Sequence, residues 1–126
     1  MENTKKPRIV AVDDAAFVCE TLTSWLRGPY EIHTFLGGAE AVAYLNQHGA
    51  DLVLLDYDMP EMTGFEVLMK IRHNTDFGKS VPVIFLTAVT NERMEEEMLE
   101  RGANAYIRKP LDLAVLKKTI AKFLPN

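Results

Sequence analysis

The sequence predicts a doubly wound α/β domain: a five-stranded parallel sheet flanked by five helices. Two observations predict it. Short apolar runs of strand length recur along the chain, and the stretches between them carry apolar residues at helical spacing. Strand and helix then alternate five times, which implies parallel pairing, right-handed crossovers and helices on both faces.

The first strand is Arg8-Ile9-Val10-Ala11-Val12, bounded by Pro7 and by the acids Asp13-Asp14. A helix follows with Val18, Leu22, Trp25 and Leu26 on one face, and Gly28-Pro29 stops it. Tyr30 to Phe35 alternates and reads as the second strand. Gly37-Gly38 marks a turn, after which Ala41, Val42 and Leu45 give a second helix ending near Gly49. Leu52 to Leu55 is a run without alternation, the mark of a strand buried on both faces, and it ends on Asp56. Gly64 is placed in the following loop, and Phe65, Leu68 and Ile71 recur as a third helix. Val81 to Leu86 is the fourth strand, with Pro82 at its start, where proline is tolerated, and Thr87 at its end. The fourth helix is charged, with a thin apolar stripe of Met94, Met98 and Leu99, and reads as a loosely packed solvated face. Gly102 is expected to close it as a left-handed cap. Ala105-Tyr106-Ile107 is a short fifth strand running to Lys109-Pro110, and Leu113, Leu116, Ile120 and Leu124 mark the last helix.

The totals suit one domain over residues 1–126, with residues 1–7 loosely held as chain ends usually are. A net charge of -4 and a pI near 5.3 offer no basic surface for direct nucleic-acid binding. The lone Cys19 rules out an internal disulfide framework and reads as a small buried hydrophobe. No stretch resembles a signal peptide or a membrane span, so a soluble cytoplasmic protein is expected, with no membrane partner.

In a parallel sheet all strands end at one edge, and open α/β folds place their chemistry there. The residues gathered at that edge are Asp13, Asp14, Phe35-Leu36, Asp56, Thr87 and Lys109. Three carboxylates together repel one another, and a hard divalent cation such as Mg²⁺ relieves the conflict with oxygen ligands alone. A nucleophilic carboxylate, a metal, a lysine and a hydroxyl make a site for taking up a phosphoryl group on Asp56.

These pieces resemble the receiver domains of bacterial two-component response regulators, the chemotaxis-type flavodoxin-like fold. The matching residues are Val12-Asp13-Asp14, Leu55-Asp56-Tyr57-Asp58-Met59-Pro60 with Gly64, Thr87-Ala88, and Gly102-Ala103 with Tyr106 and Lys109-Pro110. They span residues 8–110 in the family's order and spacing. The resemblance implies strand order 2-1-3-4-5 and a phosphoryl group received by Asp56 from a sensor histidine kinase or a phosphotransfer protein. It implies that Asp14 binds Mg²⁺ directly, Asp13 through a water, and Asp58 through its backbone carbonyl. Thr87 and Lys109 would contact the phosphoryl group, and Thr87 and Tyr106 would form a switch pair. Lys109-Pro110 is a candidate cis peptide. The signal would leave through the face of the fourth helix, fifth strand and fifth helix, to a downstream protein or an output domain beyond Asn126. Met94 and Met98 suggest that the protein is a monomer or a weak dimer through this face. Asp58 and Val89 occupy positions that influence phosphoryl lifetime. Val89 cannot orient an attacking water, and Asp58 is expected to weaken phosphoryl or Mg²⁺ retention.

Each residue also has a plainer reading. Asp13-Asp14 and Thr87 can be helix caps, Asp56 and Asp58 turn formers, Lys109 a solvated lysine, and Tyr106 a half-buried strand residue. A shared edge for four of these positions argues against all of them at once. The rival enzyme is a haloacid-dehalogenase-like phosphatase using Asp56 as nucleophile and Asp58 as acid/base. Against it, the acidic pair precedes the nucleophile, Pro60 replaces the usual residue, and no cap domain fits in 126 residues. A flavodoxin-like cofactor site fails because Asp13-Asp14 would repel a phosphate. The expectation is a switch, not an enzyme, beyond its own phosphorylation and slow dephosphorylation.

Overall fold

The computed structural model describes residues 5–74, 77–88 and 91–124. The elements run β1 (Arg8–Val12), α1 (Ala16–Leu26), β2 (Glu31–Phe35), α2 (Gly38–His48), β3 (Leu52–Asp56), α3 (Gly64–Asn74), a 3₁₀ turn (Phe77–Lys79), β4 (Val83–Thr87), α4 (Glu92–Glu100), β5 (Ala105–Arg108) and α5 (Leu113–Phe123). All pairings are parallel, in the order β2-β1-β3-β4-β5. The expected alternation and strand order are both present.

Strand side chains alternate between two cores, because successive residues point to opposite faces. Val10, Val12, Val53, Leu55, Val83 and Phe85 pack under α2, α3 and α4. Ile9, Ala11, Leu52, Leu54, Ile84 and Leu86 pack under α1 and α5. The central strands β3 and β4 are buried along their whole length, as their unbroken apolar runs require.

Differences from the sequence reading are local and have physical causes. Val81 and Pro82 precede β4 rather than opening it, because Val53 N–H pairs with the Pro82 carbonyl and the ladder of strand partners starts at Val83. Gly64 opens α3 instead of lying in a loop, with its N–H on the Tyr57 carbonyl. A Cβ there would stand 2.6 Å from the Phe85 ring and 2.7 Å from the Asp56 carbonyl oxygen. Only a residue without Cβ lets α3 approach the end of β3 this closely.

The fourth helix departs most from expectation. Its buried face is Glu95 and Met98, while Leu99 is half exposed. Met98 is wholly enclosed within the chain, so it cannot supply a dimer contact. Asn91 caps the helix, accepting from the N–H groups of Arg93 and Met94. Gly102 closes it at φ +117°, with Ala103 N–H on the Met98 carbonyl and Gly102 N–H on the Leu99 carbonyl. This is the paired termination that glycine favours.

Among the described residues, no helix is long and apolar enough to cross a membrane. Arg72 ties α3 to its neighbours, donating to the carbonyls of Gly78, Val81 and Gly102 and to Asn104 Oδ1.

Gly64→Ala is expected to destabilise the fold by about 1–3 kcal/mol, the usual cost of overpacking. Urea unfolding checks this; an unchanged midpoint would show that α3 can retreat without loss.

Candidate functional site

The register brings the site together. Val12 pairs with Leu55, so Asp13 and Asp56 emerge side by side where β1 and β3 end. These strands flank the point where chain order reverses across the sheet, the crevice in which doubly wound folds bind ligands. Leu86 pairs with Asp56 and Thr87 with Arg108, so Thr87 and Lys109 reach the same edge. Lys109 N–H is held at 2.8 Å by the Thr87 carbonyl, which fixes where its side chain starts. The Lys109–Pro110 peptide is cis.

Lys109 extends from β5 past the end of β4 to the acids beyond. Its ammonium lies 2.9 Å from Asp13 Oδ2 and 3.2 Å from Asp56 Oδ1, the latter as a hydrogen bond. Asp56 Oδ1 also receives a long 3.4 Å contact from the Asp58 N–H. Asp13 is fully buried; its Oδ1 accepts from the Ala15 N–H at 2.9 Å. Its Oδ2 is buried, close to the Lys109 charge but off the line of a hydrogen-bond donor. Asp14 sits at the mouth and is exposed.

Electrostatics follow from this crowding. Burial pushes the Asp56 carboxyl up, the Asp13 charge pushes it further, and Lys109 only partly offsets both, leaving it at about 6. Burial pulls the Lys109 ammonium down, but Asp13 and Asp56 outweigh that and hold it above the ordinary lysine value.

Among the described residues, one oxygen each from Asp13, Asp14 and Asp56 lie within 4.8 Å of one another. A buried carboxylate oxygen without a donor and an all-oxygen cluster of excess negative charge suit a hard divalent cation. Thr87 is buried at the end of β4. Tyr106, on β5, donates its hydroxyl to Glu95 Oε1 at 2.8 Å.

Tyr106 is a half-buried strand residue, as its plainer reading has it, but the capping and solvated-lysine readings fail on these contacts. The residue at the start of α1 is Ala15 with no side-chain cap, α4 is capped by Asn91 rather than Thr87, and Lys109 is ion-paired. Asp58 is exposed and does not join the acidic cluster, which disfavours a phosphatase pairing with Asp56. Val89 lies outside the described residues. Sequence reading missed Glu95 and Arg108: Arg108 donates to Glu95 Oε2 at 2.5 and 3.2 Å. The signal was partial: Glu95 stands three residues before Met98, which by sequence competes with Leu99 for the buried face.

Fold and site define a doubly wound domain with a buried carboxylate in a lysine-bridged acidic pocket. Residues 9–121 match the family model for the response regulator receiver domain. The chain is 37% identical, over its whole length, to a probable cyclic di-GMP phosphodiesterase of Vibrio cholerae, and spans only 28% of that relative's length. The chemotaxis protein CheY4 of Vibrio cholerae superposes with a TM-score of 0.88 at 29% identity, covering 94% of this chain and 98% of its own. The receiver domain of sensor histidine kinase PA1611 from Pseudomonas aeruginosa superposes at 0.85 with 26% identity, covering 96% and 99%; it holds a magnesium ion in its active-site cleft. The chain belongs to the response regulator receiver domain family of two-component signalling.

A prediction follows from the sign of the Asp56 shift. Its folded value exceeds the ordinary 3.8, so the fold opposes ionisation; the penalty is absent below about 3.8 and complete above about 6. Without divalent cations, Asp56→Asn should therefore melt several degrees higher than the native protein at neutral pH. The gap should close as pH falls from about 6 to about 4. A pH-independent gap in thermal melts would refute the electrostatic origin.

Proposed function

We propose that this chain accepts a phosphoryl group on Asp56 from a phosphohistidine of a sensor histidine kinase or phosphotransfer protein, and signals through the α4-β5-α5 face. The observation that supports it best is the position of Asp56. It is a buried carboxylate at the end of β3, held between the Lys109 ammonium and the Asp13-Asp14 pair.

In the transfer, an Asp56 carboxylate oxygen attacks phosphorus. The P–N bond breaks, and its electron pair stays on the donor imidazole, leaving an acyl phosphate. Burial deprives the Asp56 carboxylate of water, which favours its attack. Lys109 meets the negative charge on the transferred group, and Thr87 offers its hydroxyl to a phosphoryl oxygen. Asp13, Asp14, Asp56 and the Asp58 carbonyl would hold Mg²⁺. When bound, the ion neutralises phosphoryl charge that the acids would otherwise repel. A groove of about 260 Å³, lined by Phe17, Val18, Trp25, Lys109 and Pro110, adjoins the site and offers the donor protein an apolar footing. Phe17 is 77% exposed there. The phosphorylated face would then act on a downstream protein or on an output domain of a longer chain.

Incubation with acetyl phosphate and Mg²⁺ should add one phosphoryl group by mass, and none in Asp56→Asn or with excess chelator. An unmodified native protein, or a modified Asp56→Asn, would refute the assignment. Asp58→Asn should lengthen the phosphoryl lifetime by removing a negative charge beside the site. Identical dephosphorylation rates would remove Asp58 from that role.

A further inference from the structure

The fourth helix carries six acidic or basic side chains beside Glu95 within Glu92–Arg101, yet only Glu95 among them is buried. Both of its oxygens are engaged on β5. Oε1 accepts the Tyr106 hydroxyl at 2.8 Å, and Oε2 accepts Arg108 through Nε at 3.2 Å and an Nη at 2.5 Å. A phenol has one proton to donate, so Tyr106 cannot donate elsewhere while this bond stands. Arg108 stands two residues after Tyr106 and immediately before Lys109, so the clasp grips the strand that delivers the site lysine.

Further contacts also hold the helix: Arg101 at its C-terminal end lies over the Phe65 ring, 4.4 Å from its centre. Met98 is its other buried side chain, and Met94 meets the Tyr57 hydroxyl at 3.9 Å, one residue past Asp56. The clasp ties α4 to β5, at the place where the site and the signalling face meet.

We propose that Glu95 is a positioning residue, a clasp that holds Tyr106 and α4 in the resting arrangement and must open when Asp56 is phosphorylated. This rests on the reading of Asp56 as phosphoacceptor and Tyr106 as its switch partner. Ligands and covalent groups shift a two-state equilibrium only by their different affinity for the two states. A bond made only at rest thus lowers the fraction competent for phosphorylation, and its removal raises that fraction. The Tyr106 phenol is held above its ordinary value, chiefly by the hydrogen bond to Glu95, in keeping with a bond that stands at rest.

The test measures the rate of phosphorylation by acetyl phosphate with Mg²⁺, followed by mass, for the native protein, Glu95→Ala, Glu95→Gln, Tyr106→Phe and the double variant Glu95→Ala/Tyr106→Phe. Glu95→Ala should be faster by roughly threefold to tenfold, a modest factor because Arg108 is half in solvent. Glu95→Gln, which keeps an acceptor for the phenol, should return part of the way to the native rate. Tyr106→Phe removes only the hydroxyl, keeps the ring in place and should also be faster, and the double variant should be no faster than the quicker single one. Should Glu95→Ala not fold, Glu95→Gln and Tyr106→Phe carry the test. Native rates in the variants, or slower ones, would overturn the clasp while leaving Asp56 phosphorylation intact; so would single effects that multiply in the double variant. A native protein that takes no phosphoryl group on Asp56 would overturn the functional reading and the clasp with it.

Discussion

The site depends on one ammonium shared by two buried carboxylates. Parallel register forces Asp13 and Asp56 out of adjacent strands at the same height, where both are shielded from water. Like charges so placed repel strongly, and removing either from water adds to the cost. Lys109 answers both at once, at 2.9 and 3.2 Å. It does not answer them fully. With Asp14 at the mouth, three carboxylates and one ammonium leave two negative charges, the complement of one divalent cation. The unfinished balance shows in the raised Asp56 carboxyl and in the Asp13 oxygen without a donor.

The scaffold around this pocket is rigid where the acids are anchored and lighter where the signal would leave. The strands that end in Asp13 and Asp56 are buried on both faces, and Gly64 lets α3 close directly over the end of β3. Tyr57, next in the chain, packs edge-on to Phe65 and Phe85, so the loop after Asp56 is braced by a three-ring cluster. The fourth helix is different. It is nine residues long, mostly charged, and joined to β5 by a carboxylate clasp beneath an exposed arginine. Interfaces held by a few polar bonds can be exchanged for others at small cost, whereas packed cores cannot.

Much of this was legible because strand ends in a parallel sheet share an edge whatever the loops do. The unbroken Leu52-Val53-Leu54-Leu55 run could only be a two-sided buried strand, so Asp56 had to stand at its carboxyl end. The same logic placed Asp13, Thr87 and Lys109. Glu95 was not legible in that way. Its burial depends on which side of a thin apolar stripe meets the sheet, and Leu99 and Met98 compete for that place by sequence alone; the structure buries Met98 and leaves Leu99 half exposed. Arg72 is a similar case, since its four acceptors come from three separate loops and turns.

The sequence by itself determined the alternation of strands and helices, the strands that are buried on both faces, and the residues that meet at the carboxyl edge. These follow from local periodicity and from the common direction of parallel strands, which need no knowledge of distances. Only the tertiary structure decided that Lys109 bridges Asp13 and Asp56, that Asp58 stays outside the acidic cluster, and that Glu95 clasps Tyr106 and Arg108. Those outcomes turn on side-chain reach across neighbouring strands and on the angle at which one helix settles. Such quantities are fixed by packing among residues distant in the chain.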